Sequence, residues 1–261
     1  MRAVSFGSYC PGDSVIHRLD PRMKLVAGFC LLIIALASST AVKLGMLAIA
    51  VIVLYAIARV PVSRALRSLA PLLPIVVLVS VLRLFTDQSG SVIWAWGVFQ
   101  VSEGSASSFA ATLVRLTAMM AGMSLVTLTT TTLDLTAALE RLLAPLRRVG
   151  VPVHELGMML GIALRFMPQF AQEMAGTYEA QVSRGAGLSA SPVRGVRMAL
   201  SVAVPLFASV FRHAETLSEA MDARCYHGEQ GRTRLYELRF SRRDAVASVC
   251  VAVLAIAVVM A

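Results

Sequence analysis

Long runs of Leu, Ile, Val, Ala and Met, nearly free of charge, restrict the folding options of this chain more than anything else in it. They cover Met23–Ala41, Leu44–Val60, Ser68–Phe85, Ser108–Leu128 and Ala245–Ala261. In hydrocarbon every backbone N–H and C=O must find its partner inside the protein. A single segment does that only as an α-helix, and roughly 20 residues cross a bilayer core about 30 Å thick. The reading is an all-α, polytopic membrane protein with about five transmembrane helices. Composition agrees, with 57% hydrophobic and 15% charged residues and a mean hydropathy of +0.73, against about a quarter charged in soluble domains. The first run begins near Met23 without a small-residue cleavage site, so it is expected to stay in the protein. The four cysteines, Cys10, Cys30, Cys225 and Cys250, form no CxxC pair, which argues against a zinc site and a disulfide framework.

Charge placement sets the expected orientation. With the N-terminus inside, 21 of the 24 basic residues lie on the cytoplasmic side, fourteen of them arginines between Arg141 and Arg243. Only Lys43 and Arg83 fall near the outer face, and Arg115 sits within the fourth run. Basic residues stay on the cytoplasmic side of spans, so the N-terminus is placed in the cytoplasm and, with five spans, the C-terminus outside. That confinement also accounts for the net charge of +9 without nucleic acid as a partner. Three parts follow: 1–128 with spans one to four, 129–242 as a cytoplasmic helical region, and 243–261 as the last span. Both tryptophans lie in Gly90–Gln100, read as an external interfacial loop or short helix because indole favours the membrane–water boundary. An aromatic platform for a ligand is the alternative.

The cytoplasmic region reads as about three helices, two of them long and crossing. The first is Leu133–Val149, capped by Thr132 or Asp134 and stopped by Gly150 and Pro152. The others run from His154 to Arg184 and from Pro192 to Tyr226, ending near Gly228. They are too charged for ordinary spans and too apolar for ordinary surface helices. Met158, Met159, Ile162, Phe166, Met167 and Phe170 form one apolar stripe. Leu200, Val204, Phe207, Val210 and Phe211 form another. Each packs on a neighbour or on the membrane surface, or offers a docking surface to a partner.

A repeat lies inside this region. GTYEAQVSRG (176–185) and TLSEAMDARC (216–225) align without gaps at an offset of 40 residues. Glu179 matches Glu219, Ala180 matches Ala220, and Arg184 matches Arg224. A small residue stands four before each arginine, and residues four apart share a helix face. The pattern gives each helix a narrow seam on which two backbones can approach. An arginine at a helix C-terminus ordinarily complements the helix dipole, by roughly 0.3–1 kcal/mol. The duplicated context points instead to a shared task. Docking suits it, because the guanidinium fork fits carboxylates and carbonyls in two-point contact.

These residues resemble the transmembrane (T) component of energy-coupling factor transporters, ABC importers of vitamins and transition-metal ions. Near the N-terminus, Asp13-Ser14 with His17-Arg18-Leu19-Asp20-Pro21-Arg22 and Lys24-Leu25 resembles the family's opening signature. Ser183-Arg184-Gly185 and Ala223-Arg224-Cys225 resemble its paired Ala-Arg-Gly coupling motifs, with Cys225 departing from glycine. The run GEQGRTRLYELRFSRRD from Gly228 also fits. The resemblance implies a subunit of a bacterial or archaeal cytoplasmic membrane that bridges two cytoplasmic ABC ATPases to a substrate-binding membrane subunit. Arg184 and Arg224 would each enter a groove on one ATPase, with Glu179, Ala180, Glu219 and Ala220 supporting them. Such a chain carries no catalytic residue and no cofactor. No glycine-rich phosphate loop ending in Lys-Ser or Lys-Thr is present. The alternative is a permease subunit of a conventional ABC importer, which contacts substrate directly. A membrane-embedded enzyme would need clustered ionisable residues within spans, where only Arg115 stands.

His17, His154, His213 and His227 are not spaced as metal ligands, and no metal site is expected. Arg115 either lines a contact with the substrate-binding subunit or snorkels to the outer interface. Asp20-Pro21-Arg22 either sets an N-terminal segment against the coupling helices or anchors it to anionic lipid.

Overall fold

The computed structural model of the chain describes residues 9–38, 40–86, 92–96, 99–185, 192–228 and 240–260. Their regular structure is helical apart from one two-stranded hairpin, and they divide into two compact units. One takes Gly7–Ala138 with Glu237–Ala261, the other Leu139–Tyr236.

In the first unit, α1 (Pro21–Ala37) starts with Asp20 as N-cap and Pro21 in the first turn. There the missing proline N–H costs nothing. α2 (Ala41–Ala58) follows and ends at Arg59 in the left-handed conformation (φ 52°). The expected third span, Ser68–Phe85, is two helices rather than one. α3 (Val62–Leu69) and α4 (Leu73–Thr86) meet at a 62° bend. Pro71 and Pro74 explain the break, since each lacks an N–H and crowds the preceding turn. The tryptophan segment is neither loop nor helix but an antiparallel hairpin, β1 (Val92–Trp96) with β2 (Phe99–Ser102). Its β-branched and aromatic residues suit a pleated strand. Gly90 and Ser91 lie outside the described residues.

α5 (Glu103–Thr129) is the central helix, packed by α1, α2, α3 and α4. Leu31, Ile34 and Ala35 of α1 meet Leu47 and Val51 of α2, Ala118 and Ala121 of α5, and Val258 of α9 (Arg242–Met260) in one buried cluster. Close approach sets the α1–α5 contact, because a Cβ on Gly28 would lie 2.8 Å from Val126 Cγ2. Large apolar side chains elsewhere point outward, Ile33 63% and Ile52 67% exposed, as a bilayer requires. Among the described residues, three helical segments are long and apolar enough to cross a membrane, α2, α5 and the later Gly195–Asp222, or four if α3 and α4 count as one broken span. The first and last of the five expected spans correspond to α1 and α9. α1 has 17 residues, about 26 Å of helix, and α9 opens with Arg242, Arg243 and Asp244.

α6 (Thr132–Leu143) is capped by Thr131, not by Thr132 or Asp134. The Asp134 N–H donates to Thr131 Oγ1 at 3.2 Å, and that hydroxyl donates to Asp134 Oδ2 at 2.7 Å. A 3-10 turn, Ala144–Val149, continues from α6 and stops at Gly150 (φ 87°). Pro145 lies at its start, where the lost N–H favours the tighter winding.

The second unit is dominated by α7 (Val153–Ser183) and α8 (Pro192–Asp222), 31 residues each and so about 46 Å long. Both carry an interior proline, Pro168 and Pro205. Both are expected from sequence to be too charged for ordinary spans, and by length and composition α8 departs from that. Gly195–Asp222 meets the length and composition of a span, because its charges gather toward the helix ends.

Candidate coupling site

The two repeated arginines occupy the same backbone position. Arg184 is the C-cap of α7, and its N–H donates to the carbonyls of Ala180 (3.2 Å) and Gln181 (3.1 Å). Gly185 follows at φ 85°, donating to Val182 O at 2.9 Å. At the end of α8 the Cys225 N–H donates to Asp222 O at 2.9 Å, and the Tyr226 N–H to Met221 O at 3.1 Å. That pair of bonds is a Schellman ending with Arg224 as C-cap and Cys225 in the left-handed position. Cys225 takes φ 53°. The helix thus ends at the matched residue although Cys225 departs from glycine, with a Cβ strained where Gly185 has none. All six motif residues, Ser183, Arg184, Gly185, Ala223, Arg224 and Cys225, are exposed. The tips therefore present a fixed backbone and an exposed guanidinium.

The small-residue seams are not where α7 and α8 meet. Glu179, Ala180, Glu219 and Ala220 are exposed, and a Cβ on Gly176 would meet nothing within 4 Å. The helices join through larger groups. Ser209 Oγ donates to Glu173 Oε2 at 2.8 Å, and His213 Nε2 to Glu173 Oε1 at 2.9 Å. Gln169 Nε2 reaches the same oxygen at 3.2 Å. Bonds from Ser209, His213 and Gln169 hold the Glu173 carboxyl below the usual carboxylate range. Phe166 and Phe170 stack at 5.7 Å, each 6.0 Å from the His213 ring. Farther on, Met174 and Tyr178 of α7 flank a groove of about 550 Å³ shared with Met198, Val202 and Leu206 of α8. The helices thus run in opposite senses. The α7 stripe is partly consumed in this contact, whereas Val204, Phe207 (63%) and Phe211 (71%) of α8 stay exposed. His154, near the start of α7, faces Glu140 at 3.2 Å.

The N-terminal motif forms a separate knot in the first unit. The Cys10 carbonyl can only accept, so His17 Nε2 (2.9 Å) carries the ring proton there, and Nδ1 faces Ser14 Oγ at 2.7 Å. Arg18 pairs with Asp13 at the surface, 3.4 Å. Asp20 Oδ1 accepts from the Arg22 N–H at 2.9 Å, as an N-cap should. The Asp20 N–H donates in turn to Asp244 Oδ1 at 2.8 Å. Lys24 Nζ donates to the carbonyls of His17 and Thr129, 2.9 Å each. One motif therefore binds the ends of α1, α5 and α9. Asp244 is 1% exposed and was not singled out in the sequence. Its Oδ2 accepts from the Ser241 N–H at 2.7 Å, and Ser-x-x-Asp before an apolar run is a legible cap. Its distant partner is not. Of the run from Gly228, residues 229–239 lie outside the described residues. Arg115 Nη2 donates to the carbonyl of Ser38, the buried C-cap of α1.

Residues 12–235 match the model of a family described as CbiQ, cobalt transport protein. Proteins named energy-coupling factor transporter transmembrane protein EcfT are similar over nearly the whole chain. The relative from Brevibacillus brevis is 39% identical over 99% of this chain and 98% of its own. That from Ruminiclostridium cellulolyticum is 38% identical over 94% and 92%, and that from Bacillus subtilis 36% over 98% and 97%.

This chain belongs to the CbiQ/EcfT family. Membership accords with the helices of this EcfT-family chain, apolar on their outward faces and long enough in part to cross a bilayer. The repeated tips and the N-terminal knot are then features of an EcfT-family chain rather than of an isolated helical bundle.

Proposed function

We propose that this chain is the non-catalytic coupling subunit of an energy-coupling factor importer in a cytoplasmic membrane. It passes ATP-driven motion of two cytoplasmic ATPases to a substrate-binding membrane subunit that takes up a vitamin, micronutrient or transition-metal ion. The observation that carries the reading is the shared ending of α7 and α8: an exposed arginine at the C-cap, followed by a left-handed residue, 40 positions apart. Two like tips suit two like sockets. A charged fork seated in a groove of carboxylates or carbonyls transmits a push without chemistry of its own. The Glu173 clasp joins the two helices, so displacement of one tip is felt by the other. The N-terminus and both tips lie on the cytoplasmic side in this reading, following the basic residues.

The test is co-purification in mild detergent of wild type, Arg184→Ala, Arg224→Ala and the double variant, with ATPase activity and uptake followed in parallel. Two ABC ATPase subunits are expected with wild type, weaker attachment with each single change, and loss of coupled uptake with both. A double variant that assembles and transports normally reduces the arginines to helix caps and refutes the proposal.

A further inference from the structure

α1 and α5 run antiparallel, and each has its C-terminal end bound by a cation of the other. Lys24, 6% exposed, donates from the opening turn of α1 to the carbonyl of Thr129, the last residue of α5, at 2.9 Å. Arg115, within α5, donates to the carbonyl of Ser38, the C-cap of α1. Fourteen residues separate Lys24 from Ser38 on α1, and fourteen separate Arg115 from Thr129 on α5. Two bonds about 21 Å apart therefore agree on one register. Between them a Cβ on Gly28 would lie 3.9 Å from Val126 Cβ, and one on Gly122 would lie 3.8 Å from Leu31 Cβ.

Holding the two helices together does not call for these charges. Leu31, Ile34 and Ala35 already pack with Ala118 and Ala121, and a hydrocarbon side chain in place of a buried charge is often neutral or stabilising. Lys24 even stands where a cation opposes the dipole of its own helix. What an apolar face lacks is direction, and packed helices shift by small slides along one another. A hydrogen bond, lost within about 1 Å of stretch, resists that slide at each end. The lock also sits where the chain leaves this unit and returns to it. α5 leads through α6 to Leu139–Tyr236. On return, the buried Asp244 at the start of α9 accepts the Asp20 N–H at 2.8 Å, one turn from Lys24.

We propose that Lys24 and Arg115 are positioning residues that lock α1 and α5 in one register, so that the starts of α6 and α9 move with α1 as one body. The lock stands on contacts within this unit, and its use in coupling rests on the role proposed above. Cysteine pairs in the full chain, otherwise without cysteine and held in phosphatidylcholine vesicles, read the register as the rate of disulfide closure under copper phenanthroline. Gly28→Cys with Val126→Cys has a Cβ separation suited to a disulfide in the native register. Leu31→Cys with Val126→Cys closes only after a slide of about one turn. With both cations present the first pair should close and the second should not. Lys24→Met with Arg115→Met should speed the second at least about tenfold while the first still closes. Lys24→Arg with Arg115→Lys should restore the original pattern. A second pair that closes equally fast with and without the cations overturns the proposal. So does loss of the first crosslink in the methionine variant, which makes the cations mere supports of the fold. The slid pair is then followed in the complex with its ATPases, where closure during ATP turnover should be confined to the methionine variant. Equal closure in wild type during turnover overturns the use of the lock in coupling. A wild type that carries no ATPase refutes the coupling role itself, and the lock is judged on the chain alone.

Discussion

At the scale of single residues, the two arginine tips differ by one side chain in one backbone state. Gly185 takes a positive φ without cost, and Cys225 takes it against the clash of its Cβ. Opposite substitutions should therefore have opposite signs. Cys225→Gly is expected to stabilise the end of α8 by about 1 kcal/mol, and Gly185→Ala to destabilise the end of α7 by about as much. Hydrogen exchange checks both: the Tyr226 amide, bonded to Met221 O, should slow about fivefold in Cys225→Gly, and the Gly185-position amide should speed up in Gly185→Ala. Equal exchange at Tyr226 would mean the strain at Cys225 is not stored there. The arginine positions were legible in the repeat because a helix end is a local property. That a cysteine completes the second ending was not, since φ follows from the two Schellman bonds and not from residue type.

At the scale of elements, periodicity located α2, α5, α7 and α8 to within a few residues, but it could not say which face meets which. The seam of Ala180 and Ala220 looked suited to close helix approach, yet the contact runs through Phe166, Phe170, Glu173, Ser209 and His213. Larger side chains with complementary polar groups outcompete a seam that offers only close approach. Glu173 carries the test. Its pKa is depressed, so the stabilisation from its hydrogen bonds is complete above the ordinary carboxylate value and disappears as pH falls through the depressed one. Pairing of α7 with α8, followed by the distance between spin labels at Ala175 and Ala203, should hold from neutral pH down to about pH 4 and loosen below it. Glu173→Gln should show the looser distance at every pH. A distance unchanged by both would leave the pairing to the aromatic stack alone.

For the molecule as a whole, sidedness is the open quantity, and α8 is where it turns. Its composition permits a span, whereas the proposed coupling role requires both its ends in the cytoplasm. In a background without other cysteines, Val193→Cys and Cys225 should be labelled by a membrane-impermeant maleimide from the cytoplasmic face, and Thr40→Cys from the outer face. Labelling of Val193→Cys and Cys225 from opposite faces would make α8 a transmembrane helix and end the scaffold reading. Charge distribution predicts the first result, because transferring the arginines flanking α8 across the bilayer is costly.

The sequence alone determined that this is a helical membrane protein, where its basic residues fall, and that one helix ending occurs twice. Each of these depends on neighbours in the chain: hydrophobic length against bilayer thickness, charge beside apolar runs, and a short motif at a fixed offset. Only the tertiary structure decided that Asp20 meets Asp244, that Lys24 holds the end of α5, and that Arg115 caps α1. It also broke the third span into α3 and α4. The physical reason is the same throughout. Partners dozens to hundreds of residues apart are chosen by packing and by the demand that buried donors and acceptors be paired, and no local pattern records that choice.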